Sequence, residues 1–410
     1  MSVASAARSP IDALRSIDRR LSRYRAPETR DFLLDARSSM EYAMMAPVHR
    51  ALAVDPRVRV WLTSSERPAL AASIYGDAEA PARRIPPGRA MTMRFDACLA
   101  ADLVWASLPR GTCRVQMFHG VAGKFSQLYD RPAVSMREWH RLFFINERRL
   151  RNFIAAGALD ANSDAARLVG MPKTDCLVDG TFQRDDVLAA NGLDPGRPTV
   201  LYAPTWTPYS SLNAMGEEVV RGLVDAGYTV LVKPHNHSFQ MAFASSGGID
   251  WAARLGPLLQ RPRGLLVRDG DSSPWLVAAD VLISDHSSVA FEYLLLDRPL
   301  VRIEMPELIR RTDIPEDYVA LMASASTTVR SAGDVLAAVE HALADPTDRS
   351  SVRRQVAADL FYGPGGATRR AVLELYDLVE LSAPALPVAE APADYGSGVE
   401  RMLVTEREAR

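Results

Sequence analysis

Short apolar runs bounded by Gly, Pro, Asn and Asp recur along this chain. They alternate with stretches in which apolar residues return every three or four positions. The first pattern is that of a buried strand and the second that of an amphipathic helix. In the first half, VRVWLT at residues 58–63, LVW at 103–105, RVQMF at 114–118 and LFFI at 142–145 read as strands. Residues 33–52 read as a helix ahead of them. The turn-rich stretch NGLDPGRP at 191–198 reads as a connection between domains. Beyond it, TVLYA at 199–203, TVLV at 229–232, GLLV at 264–267, DVLI at 280–283 and LVRI at 300–303 form a second series of strands. Helical patterns over 216–226, 273–279 and 287–296 separate them, and a further helix over 367–381 closes the chain. Strands alternating with helices build βαβ units and parallel sheets. The expected fold is α/β, with two doubly wound domains in tandem. Residues 1–30 form a basic leader, 31–190 the first domain, 191–350 the second, 351–382 closing helices, and 383–410 a disordered tail.

Composition narrows the function classes. A length of 410 residues fits two to three domains. The net charge of -2 makes no bulk electrostatic case for nucleic acid. Three cysteines are too few and too scattered for a disulfide framework or a zinc site. No apolar run reaches the ~18 residues of a membrane span, and the first residues lack the apolar core of a signal peptide. A cytoplasmic protein is expected, with any membrane contact peripheral. That contact would involve Arg8, Arg15, Arg19, Arg20, Arg23, Arg25 and Arg30, around Ile11, Leu14, Ile17 and Leu21 at helical spacing. Such a helix either covers the domain or docks on an anionic surface.

Candidate chemistry gathers where strands end. Residues 280–296, DVLISDHSSVAFEYLLL, run from a buried strand through His286 into a helix opened by Ser287 and Ser288. A helix start presents free N–H groups, and small hydroxyl residues let a phosphate approach. Glu292 lies one turn on, on the face of Ser288, where a carboxylate suits ribose hydroxyls. An ordinary helix cap with a solvated Glu292 accounts for the same pattern. Lys233, His235 and His237 follow the strand at 229–232, positions for stabilising charge on a leaving diphosphate. His119 follows the strand at 114–118 and is a candidate base toward an acceptor hydroxyl. Lys173 and Asp175 stand in the loop GMPKTD, and Thr205 and Trp206 end the strand at 199–203. His119, His235, His237 and His286 are four of seven histidines, and each follows a strand end. No metal motif is present, so neither a metal nor another cofactor is expected.

These segments, in order, resemble the CDP-glycerol glycerophosphotransferase family of teichoic-acid polymerases and primases. The family pattern HGT, GxPRxD, APTW, PH and SDYSS with a downstream acid stands here as HGV at 119–121, GMPKTD at 170–175, APTW at 203–206, PH at 234–235 and SDHSS at 284–288 with Glu292. The resemblance spans roughly residues 95–380. It implies a GT-B fold, two Rossmann-like domains facing a cleft. It also implies transfer of glycerol phosphate from CDP-glycerol to an acceptor hydroxyl, releasing CMP. The acceptor would be a polyol phosphate or glycan, lipid-linked in some members. His119 would be the base, with His235, Lys233, Ser287, Ser288 and Glu292 at the donor. The chain departs from the pattern at Val121, Lys173 and His286. These departures leave CDP-ribitol or another nucleotide-activated polyol open as donor. A GT-B sugar transferase or UDP-sugar 2-epimerase is the alternative enzyme, and a non-catalytic nucleotide-binding protein the alternative outside catalysis.

Overall fold

The structure, a computed structural model, describes residues 28–76, 78, 80–101, 111–121, 139–268 and 270–382. The basic helix expected before residue 28, the strand expected at 103–105 and the tail from 383 lie outside these residues.

Two parallel sheets carry the fold. The first is built from β1 (Arg30–Asp35), β2 (Val58–Thr63), β3 (Arg83–Arg84), β4 (Ala97–Ala100), β5 (Cys113–Met117), β6 (Arg141–Phe144) and β7 (Ala166–Leu168). Its order is β3-β2-β1-β4-β5-β6-β7. The second is built from β8 (Thr199–Tyr202), β9 (Thr229–Val232), β10 (Gly264–Leu266), β11 (Val281–Ser284), β12 (Leu300–Ile303) and β13 (Thr327–Val329). Its order is β10-β9-β8-β11-β12-β13. In both sheets the strand order reverses beside the first strand, between β1 and β4 and between β8 and β11. Ligands of open α/β sheets bind outside the carboxyl ends of strands at that reversal.

The helix expected over 33–52 is corrected. Residues 30–35 are β1, and helix α1 occupies Ser39–Ala53, capped by Ser38, whose side chain accepts from the Glu41 N–H. A central parallel strand is buried on both faces, so its apolar run lacks alternation and blends with the helix behind it. Strand β4, ACLA, carries no signal in the pattern because small unbranched residues are weak strand formers.

Five helices matter for the second site region and the end of the described chain. They are α2 (Ser211–Asp225), α3 (Ser273–Ala278), α4 (Ser288–Tyr293) and α5 (Ser350–Leu360), followed by α6 (Ala367–Leu378) as the last element. One continuous apolar core joins Leu34, Val115 and Phe144 of the first sheet to Leu201 and Leu282 of the second, and to Leu360 and Leu375. Each such buried side chain contributes about 1.5–3 kcal/mol. The last helices cross back onto the first sheet's half. The Tyr376 hydroxyl donates to Asp55 at 2.8 Å, Arg167 pairs with Glu374 at 2.8 Å, and Asn146 donates to the Leu360 carbonyl at 2.8 Å. Gly170 explains the glycine of the GMPKTD loop. It has φ +88°, and a Cβ there would collide with the Tyr362 carbonyl oxygen where the chain returns.

Candidate active site

At the first sheet, His119 stands two residues beyond β5, half-buried. Its Nδ1 lies 2.8 Å from the carbonyl oxygen of Ala101, the residue after β4. A carbonyl only accepts, so Nδ1 carries the proton and the neutral ring keeps its lone pair at Nε2. That is the atom a general base needs. Arg149 holds the next turn by donating to the Gly120 carbonyl, and its guanidinium lies 4.4 Å from the Phe118 ring centroid.

Two buried carboxylates share this strand-end region. Asp35, the last residue of β1, is fully buried and accepts from the Ser65 N–H at 2.9 Å and from the Ser65 hydroxyl. Burial pushes its carboxyl up to about 6, against those hydrogen bonds. Glu41, in the first turn of α1, accepts from the Arg37 backbone at 2.8 Å and its guanidinium at 2.5 Å. Burial raises its carboxyl too, opposed by Arg37 and, more weakly, by the nearby His119. Neither residue belongs to a motif. Their only sequence signal is a polar residue closing β1, a strand the pattern hides, and an acid in the first turn of the helix behind it.

At the second sheet, Asp285 is fully buried and organises the loop between β8 and α2. Its Oδ1 accepts from the Thr205 N–H at 2.8 Å, and its Oδ2 from the Ser211 N–H and hydroxyl, each at 3.0 Å. The loop it pins holds Thr207 at φ 130°, a conformation L-residues avoid. The same loop presents Trp206, whose ring lies 4.8 Å from His237 and 5.9 Å from His235, centroid to centroid. His235 Nδ1 accepts from the His237 N–H at 3.2 Å. A backbone N–H only donates, so the proton of the neutral His235 ring sits on Nε2. His235 thus offers a donor where His119 offers a lone pair. Burial, and then Arg67, hold His237 below the usual histidine range.

The remaining candidates divide by burial. Ser287 precedes α4 and Ser288 opens it; both are half-buried, and the Ser287 side chain makes no capping bond. Lys233 and Thr205 are buried at the ends of β9 and β8, with the Lys233 N–H bonded to the Tyr202 carbonyl at 2.9 Å. Four further candidates, Lys173, Asp175, His286 and Glu292, are buried as well, with partners of their own. Lys173 donates to Glu292 at 2.7 Å and to the Ser272 hydroxyl at 2.9 Å, joining the loop packed on α1 to α4 and α3. Burial pulls the Lys173 ammonium down, but Glu292 and Asp271 outweigh it and hold it above the usual lysine range. Asp175 accepts from the Ala367 and Thr368 N–H groups at 3.1 and 2.7 Å, capping α6. His286 is 2% exposed, its ring edge-on to Phe291 with centroids 6.3 Å apart.

The two regions touch. Asn236 donates to the Ser39 hydroxyl at 3.1 Å, so the loop after β9 meets the start of α1. Among the described residues, no group of three or more His, Cys, Asp or Glu is placed to hold a metal ion. No helix among them is long and apolar enough to cross a membrane.

Residues 115–375, more than half the chain, match the profile of the CDP-glycerol:poly(glycerophosphate) glycerophosphotransferase family. The chain belongs to this family. It is a transferase, and its reaction is glycerol phosphate transfer. The solved wall teichoic acid polymerase TagF is similar in fold, with a TM-score of 0.64 at 15% identity over 90% of this chain and 94% of that one. UDP-GlcNAc 2-epimerase from Neisseria meningitidis, bound to UDP-GlcNAc, is also similar, with a TM-score of 0.54 at 12% identity over 85% of this chain and 100% of that one. At these identities the likeness is one of fold, two parallel-sheet α/β domains as in GT-B proteins. Among curated proteins no sequence match was found. Asp35 and Glu41 of this glycerophosphotransferase lie ahead of the matched stretch.

Proposed function

We propose that this glycerophosphotransferase extends a polymer of the teichoic-acid type. Glycerol phosphate from CDP-glycerol is added to a terminal hydroxyl of a lipid-linked polyol-phosphate or glycan acceptor, and CMP is released. The observation that carries the reading is the pair of hydrogen bonds that orient the two rings, His119 Nδ1 against the Ala101 carbonyl and His235 Nδ1 against the His237 N–H. Nε2 of His119 takes the proton of the acceptor hydroxyl as its oxygen bonds to the glycerol-bearing phosphorus. The bond from that phosphorus to the CMP oxygen breaks, and charge on the departing phosphate meets the Nε2–H of His235. Ser287, Ser288 and Lys233 lie at neighbouring strand ends and suit the diphosphate. Thr205 and Asp285 hold the loop beside it. Positioning and charge stabilisation are what phosphoryl transfer asks of a protein. No cofactor beyond the donor is invoked.

The reading includes a cytoplasmic protein touching the inner face of the membrane, supported by the arginine-rich first 30 residues. The test is CMP release from CDP-glycerol with a lipid-linked glycerol phosphate acceptor, run beside CDP-ribitol and UDP-N-acetylglucosamine. Turnover with CDP-glycerol is expected. Thermal stabilisation by UDP-N-acetylglucosamine alone, with no CMP release, would overturn the reading.

A further inference from the structure

The edge of the first sheet departs from the rest of the surface. Residues 80–95 contain Arg83, Arg84, Arg89 and Arg94 and no Asp or Glu, in a chain whose net charge is -2. Arg83 and Arg84 form the whole of edge strand β3, and both are exposed. Successive strand residues point to opposite faces, so the two guanidinium groups flank the edge. Arg83 lies over Trp61, 5.1 Å from its ring centroid, and Arg84 donates to the Gly76 carbonyl. Arg89 follows in the turn after β3, exposed. Arg67, exposed beyond the carboxyl end of β2, is close enough to His237 for its charge to depress that imidazole.

Among the described residues, no carboxylate pairs with Arg67, Arg83, Arg84 or Arg89. Many arginines elsewhere among the described residues are held by acids, as Arg148 is by Asp317 and Asp359, and Arg184 by Asp280, although Arg261, Arg263 and Arg268 are not. Charges on an edge strand also prevent edge-to-edge pairing of sheets. That accounts for Arg83 and Arg84. It does not account for Arg67 at the mouth of the site or for Arg89 beyond the strand.

We infer that this arginine edge is a track for the polyanionic acceptor, a chain of phosphodiesters that leaves the site past Arg67 and lies along Arg84, Arg83 and Arg89. The identity of the polyanion rests on the reading above. The ligand class follows from charge complementarity, since planar guanidinium groups pair with phosphate oxygens two at a time. Binding of this kind is salt-dependent and grows with the number of phosphates engaged. The track lies on the half that carries the proposed base, which is where the acceptor hydroxyl must arrive.

The experiment uses the full chain and a fluorescent poly(glycerol phosphate) oligomer, followed by anisotropy across a salt series. The R83Q/R84Q/R89Q variant is expected to bind about 10-fold more weakly at low salt. Its log–log salt slope should fall by about 2, at roughly 0.7 for each phosphate no longer neutralised. The R83K/R84K/R89K variant keeps the charges and should recover most of the binding, which separates charge from any loss of folding. CMP release with an acceptor of one glycerol phosphate unit should be unchanged in the Gln variant, while KM for the polymer rises about 10-fold. Equal polymer affinity in the parent and the Gln variant would overturn the track. So would tighter binding of single-stranded DNA or phosphatidylglycerol vesicles than of the polymer at matched charge. Absence of CMP release by the parent with every acceptor would sink the functional reading instead, and the anisotropy comparison would still decide whether the edge binds phosphodiesters.

Discussion

The two strand-end regions solve the burial of charge in opposite ways. On the second sheet the buried carboxylates Asp285 and Glu292 are matched. Asp285 accepts three hydrogen bonds, and Lys173 neutralises Glu292 across the two halves. On the first sheet Asp35 is buried with only the neutral Ser65 as partner, and its carboxyl is pushed up to about 6. Beside it Glu41 is raised as well, and His119 has one ring nitrogen fixed to a carbonyl. A matched network is rigid, because removing one member leaves its partner buried and unpaired. In a partly matched one burial keeps the carboxyls raised, as it does for Asp35 and Glu41. Under the proposed function, the second sheet's strand ends act as a scaffold and the first sheet's as the place of proton transfer.

The sharpest break in this comparison is His119→Ala. If the acceptor half moves the proton, CMP release should fall about 10^3-fold, with the thermal midpoint little changed. A parallel loss of activity and midpoint would assign His119 to packing instead. Next is Lys173→Met, which strands Glu292 in the interior. Urea unfolding should show a loss of about 3–5 kcal/mol, and Lys173→Arg should lose much less. Indifference of stability to Lys173→Met would remove the scaffold reading. Asp285→Ala should cost about 2–3 kcal/mol, because the Thr205 and Ser211 N–H groups are left without their acceptor. It should also raise the KM for CDP-glycerol, since the strained loop at Thr207 loses both anchors.

The smallest effect concerns Asp35 and runs the other way. Its folded-state pKa lies above the unfolded value, so the native state binds more protons between pH 3.8 and about 6. The contribution of Asp35 is fully present below pH 3.8 and is lost as pH rises through about 6. Asp35→Asn should therefore raise stability at pH 8 by about 1–2 kcal/mol and flatten the dependence between about pH 4 and 7. Thermal melts across that range measure it. A variant less stable than the parent at pH 8 would show that Ser65 needs the carboxylate more than burial disfavours it.

The same contrast governs how legible each half is in the sequence. Strands β8 to β12 stand out because they are branched apolar runs closed by turn residues, and each ends in a polar group that the eye can follow. The first sheet's reversal lies between β1 and β4, and the pattern conceals both strands. RDFLLD is buried on both faces and merges with the helix behind it, while ACLA has no branched residue next to another. Asp35 and Glu41 are hidden with them. For Lys173, Asp175, His286 and Glu292 the sequence leaves the partner unread: position beside a strand end is local, but the group that captures a side chain is not.

By itself, then, the amino-acid order determined the alternation of strand and helix, the two parallel sheets, the family, and the placement of His119, His235, Ser287 and Ser288 after strand ends. Those follow from periodicities and motifs a few residues long. Only the tertiary structure decided which charges are spent inside. Lys173 meets Glu292 across 119 positions, and Asp175 meets the start of α6 across 192. It also decided the orientation of the His119 ring, through a carbonyl 18 residues away. Pairings at such separations depend on how whole sheets pack, and no local pattern records them.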